Sequence, residues 1–201
     1  MTATKLPQLI MRLADLEHLP EVKLPPGYEL RRFRPGDEQV WIDLLNSTGS
    51  LGEWSLATAR ERMSAPVAHV VAEGIHFITS DGIAVATACL THHTDREEAE
   101  LGWVGASPLH QGKGLGYQVS LATLHYICQR GYRAAVLFTD DHRLPAIKTY
   151  LRLGFRPIIT HESHPQRWQA LLSQLGSPEG MISQQYCPTQ SGLLQSPLTT
   201  E

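Results

Sequence analysis

A glycine-rich stretch has the composition of a phosphate-binding turn. It reads Gln111-Gly112-Lys113-Gly114-Leu115-Gly116 and stands between a predicted strand and a predicted helix. A helix N-terminus presents backbone N–H groups that lack intrahelical partners, together with a partial positive charge. Glycine lets an anion approach this backbone because no Cβ is in the way. The stretch therefore predicts a site for a phosphate or a diphosphate. The alternative is an ordinary glycine-rich turn.

The spacing of the glycines does not fit two common nucleotide-binding motifs. The P-loop motif needs Ser or Thr after Gly-Lys, whereas Gly114 follows here, and its leading glycine would fall on Ser107. The dinucleotide motif G-x-G-x-x-G would need a glycine where Tyr117 stands. The pattern that fits is Q/R-x-x-G-x-G/A, beginning at Gln111.

A second stretch, residues 143–155, follows the pattern N-x-x-A-x-x-x-Y-x-x-x-G-F except at its first position, where Arg143 replaces the asparagine. The matching residues are Ala146, Tyr150, Gly154 and Phe155. With these two motifs the chain resembles the GNAT superfamily of N-acetyltransferases, over roughly residues 28–160.

The resemblance implies that the chain binds acetyl-CoA as a co-substrate. In the family, backbone amides of the glycine loop hold the diphosphate of the coenzyme. The matching positions are Gln111, Gly112, Lys113, Gly114, Leu115 and Gly116. The preceding strand hydrogen-bonds the pantetheine arm, which points to Val104 and Ala106. The family's asparagine touches that arm or a nearby carbonyl, so Arg143 either reaches a coenzyme phosphate or only caps its helix.

Acetyl transfer to an amine requires two proton transfers, for which the resemblance supplies two residues. The amine must lose a proton before it attacks, and the leaving thiolate must gain one. Glu100 is the expected base, because some family members place a catalytic glutamate at this strand position; a solvated strand-edge glutamate is the alternative. Tyr150 is the expected acid from its place in the matched helix, and a core tyrosine with a satisfied hydroxyl is the alternative.

The direction of the Glu100 side chain depends on the regularity of its strand. Side chains alternate between the two faces of a strand, so a regular strand puts Glu100, Gly102, Val104 and Ala106 on one side. The family often has a bulge near the glycine loop, which would change this facing.

Several histidines and acidic residues could also take part. His92 and His93 fall in a predicted loop near the acceptor side, and we interpret them as surface residues, with substrate contact as the alternative. Asp140 and Asp141 follow the fifth predicted strand of the sheet and either line the acceptor pocket or cap the loop. The segment His161-Glu162-Ser163-His164 is one residue short of the zinc motif H-E-x-x-H, so we expect no metal.

Composition limits the function classes. The chain has 201 residues and a net charge of −3 without a clustered basic segment, which argues against a nucleic-acid partner. No segment approaches the ~18 apolar residues of a membrane span, and the N-terminus lacks a secretory signal. Three cysteines, with Cys89 and Cys128 inside apolar patterns, make a disulfide framework improbable. We expect a cytoplasmic protein, and a homodimer remains open.

The predicted elements form a mixed α/β (α+β) domain. Their order is strand, two helices, three strands, helix, strand, helix, strand, helix. This order predicts a mostly antiparallel central sheet with helices on both faces, which agrees with the GNAT-like acyl-CoA N-acyltransferase fold that the resemblance implies. We expect an N-terminal extension over residues 1–27, the domain over 28–176 and a disordered tail over 177–201, which is rich in Ser, Pro, Gln and Thr.

The sequence therefore predicts an N-acetyltransferase that moves an acetyl group directly from acetyl-CoA to an amine in a ternary complex. Neither motif contains a cysteine, which agrees with direct transfer. A non-catalytic acyl-CoA-binding sensor of the same fold is the alternative, and an ATP-binding domain is a third reading that the missing Ser/Thr disfavours. The acceptor, a small-molecule or peptide amine, and the length of the acyl group stay open.

Overall fold

The fold is given by a computed structural model that describes residues 6–94 and 98–176. The expected disordered tail therefore lies outside the described residues, as does Cys187. The chain divides into two compact units, which are described separately. The larger unit spans Ala14–Ala135, and the smaller one combines the chain up to Leu13 with the chain from Val136 onward.

The helices and strands follow the predicted order, with one additional strand near the N-terminus. The strands are β1 (Leu9–Leu13), β2 (Tyr28–Arg32), β3 (Ala68–Ser80), β4 (Ile83–His93), β5 (Ala99–Ala106), β6 (Ala135–Thr139) and β7 (Arg156–Ile158). The helices are α1 (Glu38–Ser47), α2 (Leu56–Ser64), α3 (Leu115–Gln129), α4 (Leu144–Arg152) and α5 (His164–Gln174).

The larger unit contains an antiparallel meander of β2, β3, β4 and β5. Asp81 and Gly82 join β3 to β4 with φ angles of 51° and 78°. Positive φ at both positions is what a tight hairpin turn needs, and it explains why Asp-Gly occurs here. The predicted mixed α/β fold with a mostly antiparallel sheet is thus confirmed.

Helices cover both faces of this meander. On one face, α1 and α2 enclose an apolar cluster that includes Trp41, Phe77 and Cys89. On the other face, α3 lies against β3, where the Tyr126 ring contacts His76 at a centroid distance of 5.5 Å. The α1/α2 face and the α3 face are therefore chemically separate environments for side chains that alternate along β4 and β5.

A bulge interrupts β5 just before the glycine loop. Cys89 pairs with Gly102 and Thr87 pairs with Gly105. Between these two pairs β5 advances by three residues and β4 by only two, so β5 contains one extra residue. Trp103 lies inside this step with a φ of 50°, which is rare for a non-glycine residue. The strand is therefore not regular, and the facing expected for a regular strand is wrong beyond Gly102.

The bulge exchanges the residues that share the face of Glu100. Gly105 now lies on the α1/α2 face, because a Cβ there would stand 2.8 Å from a Thr48 methyl carbon. Ala106 pairs with Ala86, one residue further on, and so points to the opposite face. Val104 is the neighbour of Gly105 in the strand, so it also points to the face opposite Glu100. Its backbone and that of Ala106 still run toward the glycine loop.

The smaller unit is built around the additional strand. β1 lies between β6 and β7 and pairs antiparallel with β7, with Ile10 opposite Ile158. Sequence analysis missed this strand, which falls inside the predicted extension 1–27. Helix α5 buries Trp168 completely, together with Leu171 and Leu172. No helix in the described ranges is long and apolar enough to cross a membrane.

The buried imidazole of His76 predicts a loss of stability in acid. His76 is 4% exposed, and burial lowers its pKa to about 4. An unfolded chain titrates near ~6.5, so the unfolded state binds more protons between these values, and stability falls as the pH falls through that window. The expected loss from this group is about 3 kcal/mol by pH ~4. In urea titrations from about pH 7 to about pH 4.5, the free energy of unfolding of His76→Gln should fall less steeply than that of the wild type; parallel curves would contradict the assignment.

The burial of β1 predicts a large cost for truncating its side chains. Met11 is 0% exposed, whereas Leu6, just before the strand, is 55% exposed. Met11→Ala should lower the free energy of unfolding by about 2–5 kcal/mol because it leaves a cavity. Leu6→Ala is the matched control and should change it by less than about 0.5 kcal/mol. Equal effects in urea denaturation would show that β1 does not pack as described.

Candidate active site

The glycine loop lies at the N-terminus of α3, as the sequence predicts. A short 3-10 turn, Pro108–His110, precedes it, and Gln111 to Gly114 are exposed. Gly112 and Gly114 have φ angles of 76° and 75°, a region that L side chains rarely adopt. A Cβ added at Gly112, Gly114 or Gly116 would meet nothing within 4 Å. The glycines therefore border open space, and the surface in front of the helix is bare backbone.

The start of α3 is electrostatically suited to an anion. Its hydrogen-bond ladder begins with Gln118 N donating to Gly114 O at 3.1 Å, so the preceding amides have no partner within the helix. No side chain caps this end, and the first turn contains no acidic residue. The helix dipole and the bare amides thus both favour negative charge at Leu115 and Gly116.

A lysine extends this positive region toward β2. Lys113 Nζ donates to Tyr28 Oη at 2.7 Å and lies 5.3 Å from the centroid of the Tyr28 ring. Tyr28 Oη is 2.9 Å from His110 Nδ1. Sequence reasoning missed Tyr28 and His110, since nothing local links a residue at the start of β2 to a loop more than 80 positions later.

Glu100 lies on the α1/α2 face of β5, opposite Thr91 of β4. Its Oε2 is 2.7 Å from His93 Nε2, and its side chain is 18% exposed. It is therefore not the solvated strand-edge glutamate of the alternative interpretation. His92 and His93 belong to β4, and His93 is 2% exposed, so the prediction that both histidines lie in a surface loop is wrong.

Gly102 lets the side chains of Thr91 and Glu100 pack close to the backbone of β5. A Cβ at Gly102 would lie 2.9 Å from Thr91 Oγ1 and 3.6 Å from Glu100 Oε1. Beyond the bulge, Trp103 packs edge-on against Trp54 with 4.5 Å between ring centroids. Glycine at position 102 therefore avoids a clash with Thr91, and the neighbouring Glu100 carboxylate, which is partly exposed, can accept a proton.

Cys89 is the cysteine on this same face. Burial raises the pKa of its thiol well above the ordinary value, and the charge of Glu100 raises it further. Only a thiolate is an effective nucleophile, so this residue is a packed core thiol. The prediction that Cys89 is a small core residue is confirmed.

In the smaller unit, Tyr150 lies on α4 and is 6% exposed. Its ring packs edge-on against Phe155 at 6.1 Å. Burial raises the pKa of Tyr150 to about 12, although the charge of Arg143 opposes the shift. Among the described residues nothing hydrogen-bonds its hydroxyl. Tyr150 is thus a protonated phenol at neutral pH and not the hydrogen-bonded core tyrosine of the alternative interpretation.

Arg143 occupies the position just before α4. Its Nε is 3.2 Å from Asp140 Oδ2, and its side chain makes no capping hydrogen bond to the helix amides. Asp140 also accepts from Gln8 Nε2 at 3.3 Å. Asp141 pairs with Arg167, and this hydrogen bond lowers the pKa of the Asp141 carboxyl. The two aspartates therefore hold cationic and amide groups within the smaller unit.

The histidines of the segment 161–164 have separate local roles. His161 Nδ1 bonds Ser163 Oγ at 2.9 Å, and buried His164 receives the Thr160 amide at 3.4 Å. Over residues 6–94 and 98–176, no three His, Cys, Asp or Glu side chains group as metal ligands.

Comparison with known families and curated proteins gives a consistent result. The family described as "Acetyltransferase (GNAT) family" matches residues 39–155. A mycothiol acetyltransferase from Thermomonospora curvata is 33% identical over 142 residues, which cover 68% of this chain and 47% of that protein. Another from Rhodococcus erythropolis is 30% identical and covers 73% of this chain and 52% of that protein. The chain thus spans about half the length of the curated relatives it matches.

Solved structures share the fold at low sequence identity. A GCN5-related N-acetyltransferase from Sphaerobacter thermophilus aligns with a TM-score of 0.60 and 19% identity, covering 75% of this chain and 48% of that chain. The ribosomal-protein-S18-alanine N-acetyltransferase from Escherichia coli aligns with a TM-score of 0.52 and 19% identity, covering 63% of this chain and 76% of that chain.

Proposed function

Because this chain belongs to the acetyltransferase (GNAT) family, we propose that it transfers an acetyl group from acetyl-CoA to an amine by direct attack in a ternary complex. The observation that carries the proposal is the bare, uncapped backbone at the start of α3. The amides of residues 111–116 hold the diphosphate of the coenzyme, and Lys113 adds a cation beside it. The backbone of Val104 and Ala106 receives the pantetheine arm.

The first proton transfer activates the amine. An alkylamine with a pKa near ~10.4 is mostly charged at neutral pH, and removing its proton costs roughly 4 kcal/mol. Glu100 accepts this proton directly or through one water. Two features support this role: the Glu100 side chain is partly buried but still 18% exposed, and its Oε1 has no hydrogen-bond partner among the described residues.

The second proton transfer completes the reaction. The amine nitrogen forms a bond to the acetyl carbon, the C–S bond breaks, and the thiolate takes its proton from the Tyr150 hydroxyl. The second proton that the nitrogen loses as it becomes an amide returns to the tyrosinate through water. The assignment rests on the place of Tyr150 in the matched helix, since a pKa of about 12 leaves the phenol protonated at neutral pH but makes it a weaker acid than an exposed tyrosine. The hydroxyl also has no competing acceptor in the described part of the chain. Arg143, before the same helix, remains a candidate for a coenzyme phosphate.

The acceptor is a small-molecule or peptide amine. The curated relatives are mycothiol acetyltransferases, so their acceptor is one candidate for this chain, which spans only about half of their length. A panel of amine acceptors should therefore include the acceptor used by mycothiol acetyltransferases, alongside amino acids, polyamines and peptide N-termini. Release of free coenzyme A thiol reports turnover for every member.

Substitution of the two proton-transfer residues separates an enzyme from a binding protein. Glu100→Gln and Tyr150→Phe should each lower kcat by about 10²-fold or more, because each removes a proton-transfer group. Affinity for coenzyme A, measured by calorimetry, should stay within a few-fold. If the wild type binds coenzyme A and releases no thiol with any acceptor, the sensor alternative gains support.

Gly116 provides a test of the diphosphate site in which stability and binding change in opposite directions. Gly116→Ala should stabilise α3 by about 0.5 kcal/mol, since its Cβ meets nothing within 4 Å in the protein. The same methyl group intrudes where the diphosphate approaches, so coenzyme A affinity should fall by about tenfold or more. Thermal melts and calorimetry measure the two effects.

Gly131→Asn at the opposite end of α3 is the control. Asn is among the side chains that adopt a positive φ most readily, so the φ of 92° strains it less than most, and the site is remote from the loop along the helix; stability should fall while coenzyme A affinity stays unchanged. Unchanged affinity in Gly116→Ala as well would place the coenzyme elsewhere.

A further inference from the structure

His93 and Glu100 form a buried pair across β4 and β5. Thr91 is the residue opposite Glu100, and His93 lies two residues further along β4 on the same face. The 2.7 Å contact joins His93 Nε2 to Glu100 Oε2. Within the described residues this is the hydrogen bond that the His93 side chain makes. A buried imidazole without such a partner would be desolvated and unsatisfied, which costs free energy. The burial of His93 therefore favours its pairing with Glu100.

The two carboxylate oxygens of Glu100 have different surroundings. Oε2 is held by the imidazole. Oε1 makes no hydrogen bond among the described residues, and the side chain is 18% exposed, so this oxygen is the one left for a substrate. A carboxylate only accepts, so His93 must carry its proton on Nε2 for this contact to be a hydrogen bond. The pair therefore fixes both the orientation of the carboxylate and the tautomer of the histidine.

We propose that His93 is a positioning residue, whose Nε2–H holds Glu100 so that Oε1 is the oxygen that receives the proton of the acceptor amine. This inference rests on the proposed role of Glu100 as the base. A glutamate has three rotatable side-chain bonds, and an unheld carboxylate samples orientations in which neither oxygen faces the substrate. Displacements of ~1 Å at a reacting group can cost up to ~10²-fold in rate.

The neighbouring His92 supplies a matched control. It points to the other face of β4, where its Nδ1 bonds the Tyr132 hydroxyl and its ring lies 5.1 Å from His69. On the face of His93 and Glu100, the other titratable group contributed by β4 is the Cys89 thiol, and β3 places Ala68 opposite His93. A histidine can therefore be removed from the same strand without touching the carboxylate.

The test compares variants by thiol release from acetyl-CoA, with the fastest amine of the panel or with water as acceptor. His93→Leu should lower kcat by about tenfold or more and leave KM for acetyl-CoA unchanged. His93→Gln, which retains an N–H donor at a similar reach, should recover most of the rate. His92→Leu should stay near the wild-type rate. A wild-type rate in His93→Leu would overturn the proposal.

A double-mutant cycle distinguishes this inference from the proposal on which it rests. In a Glu100→Gln background, His93→Leu should cause no further loss, because His93 acts through the carboxylate. Additive losses would mean that His93 acts by another route and would sink the positioning role alone. Full activity of Glu100→Gln would instead remove Glu100 as the base, and the positioning role with it.

A spectroscopic measurement covers the case in which His93→Leu does not fold. Long-range ¹H–¹⁵N spectra of the native protein report which ring nitrogen of each histidine carries the proton. His93 should be protonated on Nε2 at neutral pH, and its Nε2 signal should shift in Glu100→Gln. A bare Nε2 could not donate to the carboxylate and would overturn the proposal.

Discussion

The proposed diphosphate site requires that the start of α3 stays free of side chains, and the rest of the helix compensates for this constraint. A side-chain cap would satisfy the first amides of the helix but would also occupy the place of an anion. Here the position before the helix is Gly114 in a left-handed conformation, which gives the helix no capping side chain. The helix compensates through its buried length, since Val119, Leu121, Leu124 and Ile127 are almost inaccessible to water. Packing energy in the middle of α3 thus maintains an unsatisfied end.

The Glu100 carboxylate, which we propose as the base, is likewise held by its surroundings on the α1/α2 face. The α1/α2 face is largely apolar, and a charge there needs a partner because desolvation is costly. His93 supplies that partner from the adjacent strand, and the bulge at Trp103 turns the following residues so that Gly105 meets the end of α1. The pairing register of β4 and β5, together with the bulge, therefore decides which of their side chains face the α1/α2 side.

Local patterns explain which features the sequence predicts. The Asp81-Gly82 turn, the glycine loop and the apolar stripe of α5 are each encoded within a few neighbouring residues, and the structure contains all three. His93 was misjudged because it precedes a polar stretch, while its burial depends on pairing with residues beyond that stretch. The bulge at Trp103 is equally non-local, since it appears only when β5 is compared with β4.

β1 shows most clearly how pairing distance limits such reasoning, and it also affects how the chain folds. Its partner β7 lies nearly 150 residues further along the chain, so loop closure must come before any pairing. β1 is synthesised before both of its neighbours, β6 and β7, so Leu9 and Met11 cannot be buried against these strands until the strands have left the ribosome. For that interval an apolar strand has no native neighbour. β1 is thus among the last of the described strands to reach its final place, although it is the first of them to be synthesised.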